Sequence, residues 1–248
     1  MLLIHNKGLV KSVRFKNPTY VGDPINAVKI FNEKEIDEIV ILDIDATREK
    51  RGPNMSQLGA IAGEAFIPLA YGGGISTVDE IKELFYIGVE KVILNYAAVH
   101  NPGLITSAAK LVGSQSVVVS IDAKKNLFGK YKVYTRNGTE NTNEDPVVFA
   151  RRMEETGAGE IFLNAIDRDG TYTGYDLDLI DKVSSRLSIP LVICGGAATA
   201  ADFAPAVQRG ASAVAAGSMF VFQRAHRAVL ISYPSQQELK EKLFTQVV

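Results

Sequence analysis

Three aspartates and two glycine pairs in this chain stand where chemistry can be done. Asp43 closes the apolar run Ile39-Val40-Ile41-Leu42, Asp122 closes Val117-Val118-Val119-Ser120-Ile121, and Asp169 opens Asp169-Gly170-Thr171. A carboxylate at the end of a β-branched run can serve as general acid or base, because apolar surroundings raise its pKa toward a useful range. Each also has a structural reading: Asp43 caps a loop, Asp122 pairs with Lys124, and Asp169-Gly170-Thr171 is a bare turn. The glycines lie in Tyr71-Gly72-Gly73-Gly74-Ile75 and Cys194-Gly195-Gly196-Ala197, each after a run that begins Ile-Pro and each before a helical pattern. Gly73-Gly74 and Gly195-Gly196 let backbone N–H groups reach an anion with no Cβ in the way, and the following helix adds its positive end. Asn95, after Lys91-Val92-Ile93-Leu94, either binds a ligand or closes a turn. Gly217-Ser218 follows Ala213–Ala216 and opens a short helix.

The elements that must hold these residues repeat. Pro68 recurs as Pro190, an offset of 122 residues (190 − 68), and Gly73/Gly195, Gly88/Gly210 and Asp23-Pro24/Asp145-Pro146 keep the same offset. Two half-length copies of alternating strands and helices can close into one (β/α)₈ barrel, whose usual size fits the 248 residues and 46% hydrophobic content. The expectation is one TIM-barrel domain over residues 1–248, made of two duplicated half-barrels, with a β-hairpin inserted after strand five. That hairpin is read from the alternation Tyr131–Thr135 followed by Asn137-Gly138. Strand ends then form a mouth at the C-terminal face, where such barrels do their chemistry. Gly195-Gly196 with Gly217-Ser218 forms one phosphate site there, and Gly73-Gly74 with Asn95 its twin, implying a substrate with a phosphate at each end. Residues Gly8 to Gly22 read as a long basic loop carrying Lys7, Lys11, Arg14 and Lys16, either a lid over an anion or a solvated segment.

Composition narrows the classes. A net charge of −1 points to neither nucleic acid nor an anionic membrane, and the lone Cys194 excludes an internal disulfide. No apolar run is long enough to span a bilayer and no leader pattern opens the chain, so the expected location is cytoplasmic. His5, His100 and His226 share no ligand spacing and read as exposed or capping side chains, so no metal and no cofactor are expected. The serines lack a nucleophile elbow.

The stretch Ser114–Lys124, with Ile166-Asp167-Arg168-Asp169-Gly170-Thr171 and Gly174-Tyr175-Asp176, resembles the cyclase subunit of imidazole glycerol phosphate synthase, the HisF family. The resemblance runs from about Gly8 to the C-terminus, and Gly174-Tyr175-Asp176 separates the chain from the sister isomerase. It implies a barrel fed with ammonia by a glutaminase (HisH-type) partner at its N-terminal face, acting on a two-phosphate substrate to give imidazole glycerol phosphate and an aminoimidazole carboxamide ribotide. It implies Asp122 as one of two catalytic aspartates, and Lys11, Asp43, Asn95, Asp169, both glycine cradles and Ser218 as ligand-site residues. Glu38, Lys91 and Glu160 match the charged ring at the ammonia entrance, whose arginine would precede Met1. Leu3 stands where the first catalytic aspartate belongs, and Tyr96 and Asn164 stand where hydroxyl residues are expected. These departures resemble paralogues of surface-polysaccharide pathways, and the alternative expectation is a subunit with weak or no cyclase activity that channels ammonia to a sugar amidotransferase. A sugar-phosphate isomerase is a third reading.

Overall fold

A computed structural model describes residues 1–223 and 228–247. Eight parallel strands curl around one axis: β1 (Leu2–His5), β2 (Ile39–Asp43), β3 (Leu69–Gly72), β4 (Lys91–Leu94), β5 (Val117–Lys125), β6 (Glu160–Ala165), β7 (Leu191–Cys194) and β8 (Ala213–Val214). Ladders join each strand to the next from β2 to β8, and β1 pairs with β2. Backbone N of Met1 donates to Ala216 O at 2.9 Å, linking the end of β8 to the start of β1. The fold is a (β/α)₈ barrel of the TIM type.

Strand alternation sorts the side chains into two shells. Ile39, Ile41, Val117, Val119, Ile121, Ile161 and Leu163 point outward into the core shared with the helices. Val40, Ala70, Ile93, Val118, Phe162 and Cys194 fill the barrel interior. Both shells are apolar, as a parallel sheet covered by helices requires.

The duplication is visible in the register. Ile39 pairs with Leu69 and Ile161 with Leu191, while Ala70 pairs with Lys91 and Val192 with Ala213, all separated by the offset of the sequence repeat. Asp23 and Asp145 cap the helices Pro24–Glu33 and Pro146–Thr156, each with proline in the first turn. Thr77 with Glu80, and Thr199 with Asp202, close capping boxes at the same offset.

Two expectations change in detail. Gly8–Gly22 is a β-hairpin, not a loop: Gly8–Val13 pairs antiparallel with β1 and with Lys16–Gly22. Its sequence hides the alternation because the pairing slips twice, between Leu9 and Val10 and between Lys11 and Val13. The insertion after strand five is a hairpin as expected, but β5 supplies its first arm. β5 runs on to Lys125 and pairs with Tyr131–Thr135, which also pairs with Glu140–Asn141. No helix among the described residues is long and apolar enough to cross a membrane.

Candidate functional site

The inward phase of each strand carries one residue to each end of the barrel. In β4 that phase is Lys91, Ile93, Asn95; in β5 it is Val118, Ser120, Asp122; in β6 it is Glu160, Phe162, Asn164. Glu38, just before β2, shares the phase of Val40 and Leu42. Charged groups therefore gather at the N-terminal end, polar ones at the C-terminal end, and apolar side chains lie between.

At the C-terminal end a cavity of about 610 Å³ is lined by Asp122, Asn95, Asn164, Asp43, Gly73 and Gly74, among others. Asn95 Nδ2 donates to Ser120 O at 3.0 Å and to Asp122 Oδ2 at 3.3 Å. Burial, aided by the charge of Asp169, pushes the Asp122 carboxyl up to about 7. A carboxyl raised into that range is suited to giving and taking a proton near neutral pH. The salt bridge to Lys124 is not formed; Lys124 lies over the Tyr134 ring, 5.7 Å from its centroid.

Asp43 sits on the other phase, with Ile39 and Ile41. Its Oδ1 accepts from Asp45 N at 3.0 Å and Ala46 N at 3.1 Å, and Arg51 grips both oxygens at 2.8 and 3.1 Å. This carboxylate organises the loop after β2, which is the structural reading of its strand-end position. Gly73 and Gly74 have φ of 125° and 72°. A Cβ on Gly73 would meet Asp43 O at 2.4 Å, and one on Gly195 would meet Ala165 O at 2.8 Å. The two cradles thus pack against the preceding strand in the same way.

The residues of the second cradle come together, but in their own recess of about 10 Å³ and not on the large cavity, lined by Asp169, Gly170, Gly195, Gly196, Gly217 and Ser218, among others. That volume holds about one water. The loop after β6 lies over it: Gly174 N donates to Gly196 O at 2.9 Å, and Tyr172 OH to Ser218 O at 3.3 Å. Lys11 is buried beside it, with Nζ donating to Met1 O at 2.5 Å and standing 2.6 Å from the place of a Gly217 Cβ. Burial lowers the Lys11 ammonium to about 8, against the pull of Asp169. Burial also raises the Asp169 carboxyl, against the opposing charge of Lys11. Asp169 Oδ2 and Asn164 Oδ1 are buried and lack a hydrogen-bond partner.

At the opposite end Lys91 Nζ bonds Glu38 Oε2 at 2.8 Å and Glu160 Oε2 at 3.0 Å. Burial works to lower the Lys91 pKa, but the two carboxylates outweigh it and the net shift is upward. For Glu160 burial outweighs the ammonium, and its carboxyl is raised.

His5 was not expected here. It lines the large cavity, and its Nδ1 lies 2.9 Å from both carboxylate oxygens of Asp45. The signal was available, since Leu3 and His5 share the inward phase of β1. His100 stacks on Tyr96 at 4.1 Å between centroids and pairs with Glu140. His226 lies outside the described residues. No cluster able to hold a metal occurs among the described residues.

A duplicated (β/α)₈ barrel with a buried carboxyl of raised pKa in a polar mouth defines the class. A family profile described as "Histidine biosynthesis protein" matches residues 2–226. The chain belongs to that family, among its HisF members. It is 50% identical over 239 residues, 96% of this chain and 95% of the other, to a Pseudomonas aeruginosa protein provisionally named imidazole glycerol phosphate synthase subunit hisF2. It is 49% identical over 245 residues, 98% and 94% of the two chains, to a Vibrio vulnificus protein provisionally named subunit hisF3. Identity is 42% over 213 residues, 86% and 84% of the two chains, with imidazole glycerol phosphate synthase subunit HisF of Alkaliphilus metalliredigens.

Proposed function

We propose that this chain is the synthase subunit of a HisF-type enzyme. It takes ammonia from a glutaminase partner at the N-terminal face of the barrel and uses it at the mouth on a substrate with two phosphates. The observation that carries the reading is Asp122, held near a pKa of 7 in the same cavity as Gly73, Gly74 and Asn95. Ammonia entering past Glu38, Lys91 and Glu160 meets the apolar interior formed by Val40, Ala70, Ile93, Val118 and Phe162, which disfavours ammonium and passes the neutral molecule. The cradle of Gly73 and Gly74 holds one phosphate; that of Gly195, Gly196, Gly217 and Ser218, with Lys11 and Asp169 beside it, takes the other once the loop carrying Tyr172 and Gly174 moves off it, since the closed recess has room for about one water. Asp122 moves protons as the new carbon–nitrogen bonds form, the ring closes to imidazole glycerol phosphate, and the substrate's carbon–nitrogen bond breaks to release the aminoimidazole carboxamide ribotide. The test is complementation: a histidine auxotroph lacking only its cyclase subunit regains growth on this chain supplied with its glutaminase.

A second reading has its own support. Leu3, buried on the cavity wall, is the residue that the family resemblance aligns with the first catalytic aspartate. On that reading the chain activates a glutaminase and delivers ammonia to a sugar amidotransferase, and complementation fails. Glutaminase activation then survives Asp122→Asn.

A further inference from the structure

We propose that His5, oriented by Asp45, is a second acid–base residue of the mouth, working through Nε2 from the wall opposite Asp122. The inference rests on the reading that ammonia is used on the substrate in this cavity, and takes the carbon it attacks to be a carbonyl. Both side chains line that cavity, and strands one and five face each other across an eight-stranded ring. Leu3 leaves β1 without a proton carrier at its own level. His5 is one inward step further along the strand, about 6–7 Å nearer the opening.

The ring is held for the task. Asn6 and Lys7 have φ of 48° and 66°, which turns the chain sharply and pairs His5 with Gly8. Asp45 is buried and fixed independently by Asn6 N at 2.9 Å and Arg48 Nη2 at 3.1 Å. Burial works to raise the Asp45 carboxyl, but the Asn6 N–H, His5 and Arg48 outweigh it and keep it ionised. A carboxylate only accepts, so in the neutral ring Nδ1 carries the hydrogen and Nε2 presents the lone pair. Nε2 meets the exposed amide Nδ2 of Asn6 at 3.1 Å, a contact that a ligand can displace. The charged groups around the imidazole are Asp45 and Arg48 from the loop after β2, Lys7 in its own turn, and Asp122 across the cavity.

The step balances with these two groups. As the ammonia nitrogen bonds to the carbonyl carbon and the C=O π bond breaks, one N–H proton passes to Nε2 of His5. The proton on Asp122 passes to the carbonyl oxygen, giving the carbinolamine. Solvent exchange then returns a proton from His5 to Asp122. If the His5–Asp45 contact only stapled β1 to the loop after β2, Nε2 would have no role.

The experiment uses the full chain, saturating ammonium salt and the two-phosphate substrate, with His5→Gln and Asp45→Asn. The expected result is a loss in kcat of about 10²–10⁴-fold for His5→Gln with KM within a few-fold, partly restored by free imidazole. His5→Gln turnover within a few-fold of the unmutated protein overturns the proposal. Absence of turnover in the unmutated protein marks failure of the cyclase reading instead, and ¹⁵N spectra of histidine-labelled protein then decide. An Nδ1–H tautomer whose Nε2 shift responds to inorganic phosphate supports the assignment. An Nε2–H tautomer, or no response, overturns it.

Discussion

Asn95 Nδ2 sits 3.3 Å from Asp122 Oδ2, joining the ends of β4 and β5 with a contact at the long edge of a hydrogen bond. That donor favours the charged carboxylate only weakly, so burial decides the protonation state. The balance gives the mouth a group that titrates near pH 7.

Stability should record the same balance. Asp122 is raised from 3.8 to about 7, so between those values the native state binds a proton that the unfolded chain has released. Stability therefore falls as pH rises through that window, by an amount on the order of 4 kcal/mol at full ionisation. Asp122→Asn removes this term. Urea unfolding should show the variant gaining on the unmutated protein as pH rises from about 4 to 7, then running parallel.

Asp43 should matter more to stability than to turnover. Asp43→Ala leaves the Arg51 guanidinium and the Asp45 and Ala46 N–H groups without their acceptor. Because Arg51 is 38% exposed, the cost is discounted to about 2 kcal/mol. Turnover per folded molecule should fall by less than roughly tenfold, against the larger loss expected for an acid–base group. Chemical denaturation alongside active-site-normalised kcat checks both.

Lys91 ties two carboxylates at the far end of the barrel. Lys91→Met should lower stability by about 1–2 kcal/mol near neutral pH, since the network is half-buried. The Lys91 pKa is raised above 10.5, so this stabilisation is fully present below that value and fades as pH climbs past it. The variant should keep ammonium-driven activity and lose glutamine-driven activity, measured side by side in the complex.

Lys11 should take up a proton when an anion binds. Free, it titrates near 8 rather than 10.5, so between these values it is largely neutral. A phosphate beside Gly217 restores the charged form. Calorimetry in buffers of different ionisation heat should show proton uptake on binding in that window, and Lys11→Met should abolish the uptake.

Much of the architecture was legible in the chain because its duplication fixes it twice. Pro68 and Pro190, Asp23 and Asp145, and Gly73 and Gly195 mark equivalent points whose registers coincide in space. Alternation was the less used signal. Strand-end position alone made Asp43 and Asp122 look equivalent; both line the cavity, but phase pairs Asp43 with Arg51 and the loop after β2, whereas Asp122 makes no ion pair there. The same phase places His5 beside the mouth. The Asp45 contact remained hidden because it joins residues 40 positions apart across two strands. The closure of the second cradle depends on Gly174 and Tyr172 folding back over Gly196 and Ser218, a tertiary contact that no local pattern announces.

The most direct measurement is steady-state turnover of the two-phosphate substrate with ammonium salt, for the unmutated chain and for Asp122→Asn. The account predicts measurable turnover that Asp122→Asn lowers by about 10²–10⁴-fold while KM stays within a few-fold. An Asp122→Asn enzyme as fast as the unmutated one, or an unmutated chain with no turnover, contradicts it.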